Sequence, residues 1–329
     1  MALLPHAVFA LEPGLIPRLF PAETLARLSW SVRCDPGHAL RTLDDPILRT
    51  ASLLITGWGA PHLDAGLLGR APGIEAVIHT AGSVKELVSP VLLDQGVAVS
   101  SAASANARPT AEFAVAAMLM AAKRTFSAAR GLAAGLPPAE DTTDSGWYRL
   151  TVGLIGASRV GRIVMELLRG YDVRVLVCDP YLNPAQAQAL GATLTDLDTL
   201  CAGSDVVSVH APQLPTTTGM LGERQLALIR DGGIVVNTAR GALIDTEALT
   251  RHCATGRLDA VLDVTEPEPL PPGHLLLHLP NVLVTPHLAG SRGRELRRLG
   301  EFAVAEVERH LAGQPLAGAV TPEELPRSA

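Results

Sequence analysis

The stretch Leu150-Thr-Val-Gly-Leu-Ile-Gly156-Ala-Ser158-Arg159-Val160-Gly161-Arg162 decides the fold. Thr151 to Ile155 is a short apolar run suited to a buried parallel strand, and Arg159 to Leu168 has helical spacing that stops at Gly170. Between them, Gly156, Ser158 and Gly161 reproduce the dinucleotide-binding turn G-x-G-x-x-G with serine in the middle place. The first glycine of such a turn permits the tight bend, the second lets backbone approach a pyrophosphate, and the third lets helix pack on strand. The helix start around Arg159 and Val160 offers unpaired N–H groups to the anion. Only the second task is altered here. The Cβ of Ser158 is expected to hold the backbone slightly away from a phosphate, while its hydroxyl donates to a phosphate oxygen and offsets part of the loss.

A glycine pattern is weak by itself, since glycine-rich turns between strand and helix are common. The context strengthens it. Tyr171 to Cys178 is a second apolar run, and it ends at Asp179, eighteen residues beyond Gly161, where such folds hold the acid that binds an adenosine ribose. A carboxylate there repels a 2′-phosphate, so NAD is the expected cofactor rather than NADP. The competing reading is a purely structural turn.

Composition sets the outer bounds. A chain of 329 residues with 47% hydrophobic residues can fill two cores. A net charge of −6 without a long basic run leaves nucleic acid no electrostatic footprint. Cys34, Cys178, Cys201 and Cys253 lie far apart and form no C-x-x-C pair, so no metal site is expected and a reducing cytoplasm is the simplest compartment. The start Met-Ala-Leu-Leu-Pro-His lacks the basic opening of a signal peptide, and the apolar run Phe113 to Ala122 ends at Lys123, so no membrane span is expected.

Apolar runs at Ala7–Leu11, Leu53–Thr56, Ala76–His79 and Val97–Ser100 alternate with helix-like segments in a βαβ rhythm. Arg108 to Arg130 reads as one long connecting helix and Gly135 to Gly146 as a loop. Beyond Asp179 come strands at Val206–His210, Gly233–Asn237, Ala260–Val264 and Val282–Thr285, which with the first two make a six-stranded doubly wound sheet. An amphipathic helix from Gly293 to Leu311 is expected to pack back on the N-terminal domain, and Pro315 to Ala329 reads as a tail. The expected fold is therefore α/β with two doubly wound, Rossmann-like parallel-sheet domains. Residues 108–290 form the NAD-binding domain, inserted into a discontinuous substrate domain of residues 1–107 and 291–329.

Four further stretches complete the pattern: Val209-His210-Ala-Pro212 with Thr217; Val236-Asn237-Thr238-Ala239-Arg240-Gly241; Leu262-Asp263-Val264-Thr-Glu266-Pro-Glu268-Pro269; and Thr285-Pro286-His287-Leu-Ala-Gly290. Together with the glycine turn, in this order and over nearly the whole chain, they resemble the D-isomer-specific 2-hydroxyacid dehydrogenases. The resemblance implies a catalytic set of Arg240, Glu268 and His287. It implies cofactor contacts from Gly156, Ser158, Arg159, Val160, Gly161, Asp179, His210, Pro212, Thr217, Thr238, Ala239, Arg240 and His287, with Asp263 against the nicotinamide amide. Substrate contacts are implied from Arg240 and the loop Ala81-Gly82-Ser83, and a homodimer joined through the dinucleotide domain.

Those residue types suit the chemistry. A 2-oxo or 2-hydroxy acid presents a carboxylate beside an oxygen, and a planar guanidinium such as Arg240 can hold both. Moving a proton on that oxygen while hydride moves on the carbon calls for a histidine such as His287. A carboxylate on its far nitrogen fixes the tautomer and favours the protonated ring. Glu266 and Glu268 compete for this place by sequence alone, and only the family spacing from Asp263 selects Glu268.

Singly, each residue has a duller reading: a packed loop histidine, a surface arginine, solvated glutamates among prolines, and for His210 a structural role. The chain also departs from the family at Ala81-Gly82-Ser83-Val84-Lys85, where glycines and a nearby acid are usual. Family members that use formate carry glutamine at the place of Glu268, which disfavours formate. The leading reading is an NAD-dependent oxidoreductase interconverting a small 2-oxo acid and its D-2-hydroxy acid in a cleft between the domains, in the manner of glyoxylate/hydroxypyruvate reductases or phosphoglycerate dehydrogenases. The alternative is an NAD(H)-sensing binding protein of the corepressor type. The Asp179 carboxylate predicts that initial rates will give a higher kcat/KM with NADH than with NADPH; equal or better efficiency with NADPH would contradict it.

Overall fold

The computed structural model describes residues 3–137 and 145–325. The chain divides into two compact units, residues 1–107 with 291–329, and residues 108–290. The expected loop Gly135 to Gly146 falls largely outside the described residues, and so does the end of the expected tail.

The first unit contains a parallel sheet of β1 (Ala7–Ala10), β2 (Leu53–Thr56), β3 (Ala76–His79) and β4 (Ala98–Ser101), side by side in that order. On the free side of β1, the segment 33–40 is reduced to parallel bridges at His6–Arg33 and Phe9–Ala39. The chain thus winds to both sides of β1. Successive residues serve opposite faces, as the strand period requires. Ala7, Phe9, Leu53, Ile55, Ala76 and Ile78 join one core, while Val8, Ala10, Leu54 and Val77 join the other. The first core is closed by the helix Leu296–Leu311 through Leu296, Leu299, Ala303, Val304 and Val307.

The expected tail is instead packed structure. Glu306, 1% exposed, accepts from Ser100 Oγ (2.5 Å), Ala317 N (2.9 Å) and Gly318 N (2.9 Å). Val320 N donates to Val99 O, Ala319 forms an antiparallel bridge with Ser100, and Leu325 is 4% exposed. The carboxylate satisfies backbone donors that a loose tail would have left to water.

The second unit holds β5 (Thr151–Ile155), β6 (Arg174–Cys178), β7 (Thr193–Leu194), β8 (Val206–Val209), β9 (Gly233–Asn237), β10 (Leu258–Leu262) and β11 (Val282–Val284). All are parallel, in the order β11-β10-β9-β8-β5-β6-β7. The sheet is one strand larger than expected because the two-residue β7 is too short to show a pattern. Val152, Leu154, Ile234 and Val236 face one core; Val207, Val209, Val235 and Ala260 face the other.

The single helix expected over Arg108 to Arg130 is two, Ala103–Ala122 and Thr125–Ala133. The break is at Arg124, in the left-handed region at φ 53°. Its guanidinium bonds Asp259 (2.5 Å) and the Gly232 carbonyl (2.6 Å), long-range bonds that offset a turn costly for a side chain with a Cβ.

Two histidines are held neutral. Burial lowers His79, at the end of β3, and His210, just beyond β8, to about 4. The unfolded chain therefore binds more protons than the folded one as pH falls from the ordinary 6.5 toward about 4, and stability is lost across that window. Urea titrations at pH 7, 6 and 5 should show falling stability, with a shallower fall in His79→Gln; a flat profile would contradict the buried neutral state.

Candidate active site

The parallel register brings the carboxyl ends of the second unit's strands to one edge, where open α/β sheets bind ligands. At the end of β5, Gly156 has φ 99°, and a Cβ there would come within 2.7 Å of Ala211 N. Glycine is required. Ser158 caps the helix Arg159–Leu168, its Oγ accepting from Gly161 N at 3.3 Å. The serine in the middle place thus has work inside the protein, to which any bond with a phosphate would be additional. Arg159 is exposed and Val160 half-buried in the first turn.

Beyond β6, the carboxylate of Asp179 accepts from Ala157 N (2.7 Å) and Tyr181 N (2.8 Å). This bonds the acid to the glycine turn itself, and a carboxylate keeps lone pairs for hydroxyl donors. At the end of β8, His210 lies against Gly156, with Nε2 bonded to Ser208 Oγ (3.0 Å) and Nδ1 buried without a partner. Beyond β9, Thr238 Oγ1 is likewise buried and unpartnered. An orphaned imidazole nitrogen against a glycine cradle, an anchored acid, and a second orphaned polar atom at the end of β9 are what a dinucleotide site presents, so the residues fit NAD. The Thr217 hydroxyl serves its own loop, donating to the Pro212 carbonyl (2.7 Å) and accepting from Leu214 N (2.8 Å).

Arg240 follows β9 in extended backbone at φ −146°, ψ 142°, and its Nη1 donates to the Ala239 carbonyl (2.7 Å). Burial pulls its guanidinium below the ordinary value, opposed by the negative charge of Glu268. A guanidinium so stripped of water gains more from an anionic ligand than an exposed one. Gly241 lets this turn lie on the next strand end, where a Cβ would collide with the Thr265 carbonyl.

Beyond β11, His287 adopts φ 49°, a strained value for a residue with a Cβ. Its N–H donates to the Asp263 carbonyl (2.9 Å), and the Asp263 carboxylate, in a residue 1% exposed, accepts from Thr285 Oγ1 (2.6 Å), Leu288 N (2.8 Å) and Ala289 N (2.8 Å). Asp263 thus holds the turn that displays the histidine. The imidazole Nδ1 meets Glu268 Oε1 at 2.7 Å, with both side chains partly open to solvent. Glu266 is exposed, and its carbonyl accepts from Thr246 Oγ1.

In the first unit, the loop after β3 is tied down by Ser101 Oγ, which donates to the Gly82 carbonyl. Ala81 is buried, and Ser83 Oγ accepts from Lys85 N. Sequence reasoning missed Ser208, and it quoted Thr285 and Asn237 within their motifs without giving either a role. The last carries a readable signal, an asparagine where a strand runs into a turn. Among the described residues no three metal-ligating side chains gather and no helix is long and apolar enough to cross a membrane.

The cap predicts that Ser158→Ala will lower unfolding free energy by about 1 kcal/mol and Ser158→Gly by only a few tenths, read from urea midpoints. NADH affinity of Ser158→Gly should stay within about tenfold of the parent. Lost binding would make the hydroxyl a principal ligand.

Residues 115–289 match the NAD binding domain of the D-isomer specific 2-hydroxyacid dehydrogenases. The D-3-phosphoglycerate dehydrogenase of Archaeoglobus fulgidus is 33% identical over 259 residues, 78% of this chain and 49% of that protein. This chain therefore spans about half the length of the phosphoglycerate dehydrogenases it matches. The glyoxylate reductase of Thermofilum pendens is 30% identical over 80% of this chain and 79% of its own. A crystal structure of a Thermus thermophilus protein superposes with a TM-score of 0.76 at 30% identity, covering 96% of this chain and all of that one. With a glycine cradle, an anchored acid and a Glu268–His287 pair at the carboxyl edge of its larger sheet, the chain belongs to the D-isomer specific 2-hydroxyacid dehydrogenases, and residues 115–289 are that family's NAD-binding domain.

Proposed function

We propose that this protein is an NAD-dependent dehydrogenase that interconverts a small 2-oxo acid and its D-2-hydroxy acid. The observation that carries the reading is the 2.7 Å bond between His287 Nδ1 and Glu268 Oε1, beside the desolvated guanidinium of Arg240. With Nδ1 engaged by the carboxylate, Nε2 is the nitrogen left to exchange a proton with the substrate oxygen. Arg240 grips the substrate carboxylate and carbonyl in one plane. Bound NAD supplies the hydride acceptor, and NADH the donor. The remaining cofactor contacts, and the contact of Ala81, Gly82 and Ser83 with the substrate, belong to the same proposal.

The names of the relatives, a dehydrogenase and a reductase, favour turnover over the binding-only alternative and suggest glyoxylate and the oxo partner of 3-phosphoglycerate as first members of a substrate panel. A homodimer in the cytoplasm completes the proposal, and four free cysteines agree with a reducing compartment.

The test is a panel of 2-oxo acids followed by NADH absorbance, with glyoxylate, hydroxypyruvate and 3-phosphohydroxypyruvate included. At least one should be reduced briskly, and absence of turnover on all of them would contradict the reading. On the best substrate Glu268→Gln should lower kcat about a hundredfold, with NADH affinity unchanged. Glu266→Gln should stay within about twofold. The reverse pattern would make Glu266 the partner of the histidine.

A further inference from the structure

We infer that Asn237 is a positioning residue that sets the guanidinium of Arg240, through the two hydrogen bonds its side-chain amide makes across the Thr238–Arg240 turn. The inference rests on the reading of Arg240 as the substrate-gripping group. Asn237 is the last residue of β9 and 1% exposed. Its Oδ1 accepts from Ala239 N (3.0 Å) and its Nδ2 donates to the Arg240 carbonyl (2.9 Å). One planar group thereby ties the Thr238–Ala239 and Arg240–Gly241 peptides together, and the Ala239–Arg240 unit held between them sets the direction in which the Arg240 side chain leaves the backbone.

The other restraints on this turn are few and weaker: the Arg240 carbonyl also accepts from Leu243 N, at a longer 3.3 Å. The Asn237 backbone is committed to the ladder, pairing with Val209 and Leu262, and its carbonyl accepts from Asp263 N (2.9 Å). Beyond Arg240, Gly241 rests on the Thr265 carbonyl, which fixes the height of the turn but supplies no bond to the Ala239 or Arg240 peptides. Behind the turn lies a small cavity bounded by Asn237, Gly241, Ile244 and Thr265, with room for about one water. That space leaves a slackened turn some room to shift. Because the Arg240 Nη1 bonds the Ala239 carbonyl, a shift of that peptide moves the guanidinium too.

A misplaced clamp affects substrate binding and chemistry more than the dinucleotide, most of whose proposed contacts lie outside this turn, and its effect on the oxo acid can act only while the arginine is present. The experiment uses the whole chain and the fastest oxo acid of the panel with NADH, comparing Asn237→Ala, Asn237→Asp, Arg240→Ala and the double variant Asn237→Ala/Arg240→Ala. Asn237→Asp keeps the volume and the acceptor for Ala239 N while losing the donor to the Arg240 carbonyl, so it reports even where the alanine variant fails to fold. Both single Asn237 variants should raise the oxo-acid KM and lower kcat/KM by about a hundredfold, with the Kd for NADH, read by fluorescence, moving far less than the oxo-acid KM. In the Arg240→Ala background, Asn237→Ala should cost nothing more, since it acts through a side chain already gone. Losses that add in the double variant, a shifted NADH Kd with an unmoved oxo-acid KM, or a fully active Asn237→Asp would each overturn the inference. An Arg240→Ala variant with the parent kcat/KM would instead overturn the functional reading beneath it.

Discussion

The parallel direction of the strands is the constraint on which the rest of the molecule depends. Parallel ladders need crossovers that cover both sheet faces, so both faces must be apolar, and chemistry is driven to the strand ends. In the seven-stranded sheet the ends of β5, β6, β8, β9, β10 and β11 deliver Gly156, Asp179, His210, Arg240, Asp263 and His287. Residues spread over more than a hundred positions become neighbours on one rim because no strand runs the other way. The buried faces supply the stability; the rim is left free to be polar and strained.

Three carboxylates near strand ends show how differently one chemical group is used. Glu306 and Asp263 are each 1% exposed and spend their oxygens on hydroxyl and backbone donors. Taking a charge out of water costs several kcal/mol, and only a full set of such bonds offsets it. Each therefore holds a segment in one arrangement: Glu306 the chain around Ala317, Asp263 the turn carrying His287. Glu268, partly in solvent and bonded to a single imidazole nitrogen, is under no such demand and can respond to what the histidine does. The buried pair supports the scaffold and the display of the histidine, and the exposed carboxylate is left to chemistry.

Much of this was legible in the residues. Apolar runs of four to eight residues located ten of the eleven strands within a few residues, because strands buried on both faces leave no other pattern. Glycine at 156 and acid at 179 marked the turn and its neighbour, since steric need and charge are local properties. The residues that pass information over long distances were not legible. A helix pattern runs unbroken through Arg124, and the partners that explain the break, Asp259 and the Gly232 carbonyl, lie 135 and 108 positions away. Nothing near Glu306 announces that residues 317 and 318 will need its oxygens. Asp263 was read as a ligand contact, while its bonds to Thr285, Leu288 and Ala289 depend on β10 and β11 lying side by side. The Glu266 and Glu268 ambiguity was of the same kind: two carboxylates in one loop differ only in which one meets the imidazole.

The segment that Glu306 pins has a meaning for how these molecules behave in a crowd. β4 is the last strand of its sheet, and an uncovered edge offers unpaired N–H and C=O groups to any passing chain. Residues 318–320 lie along that edge, with Ser101 N donating to the Gly318 carbonyl and Val320 N to the Val99 carbonyl. They act as a selvage on the fabric. A chain shortened before Gly318 would deprive Glu306 of one of its donors and would carry an open border that a neighbouring copy could extend into an aggregate.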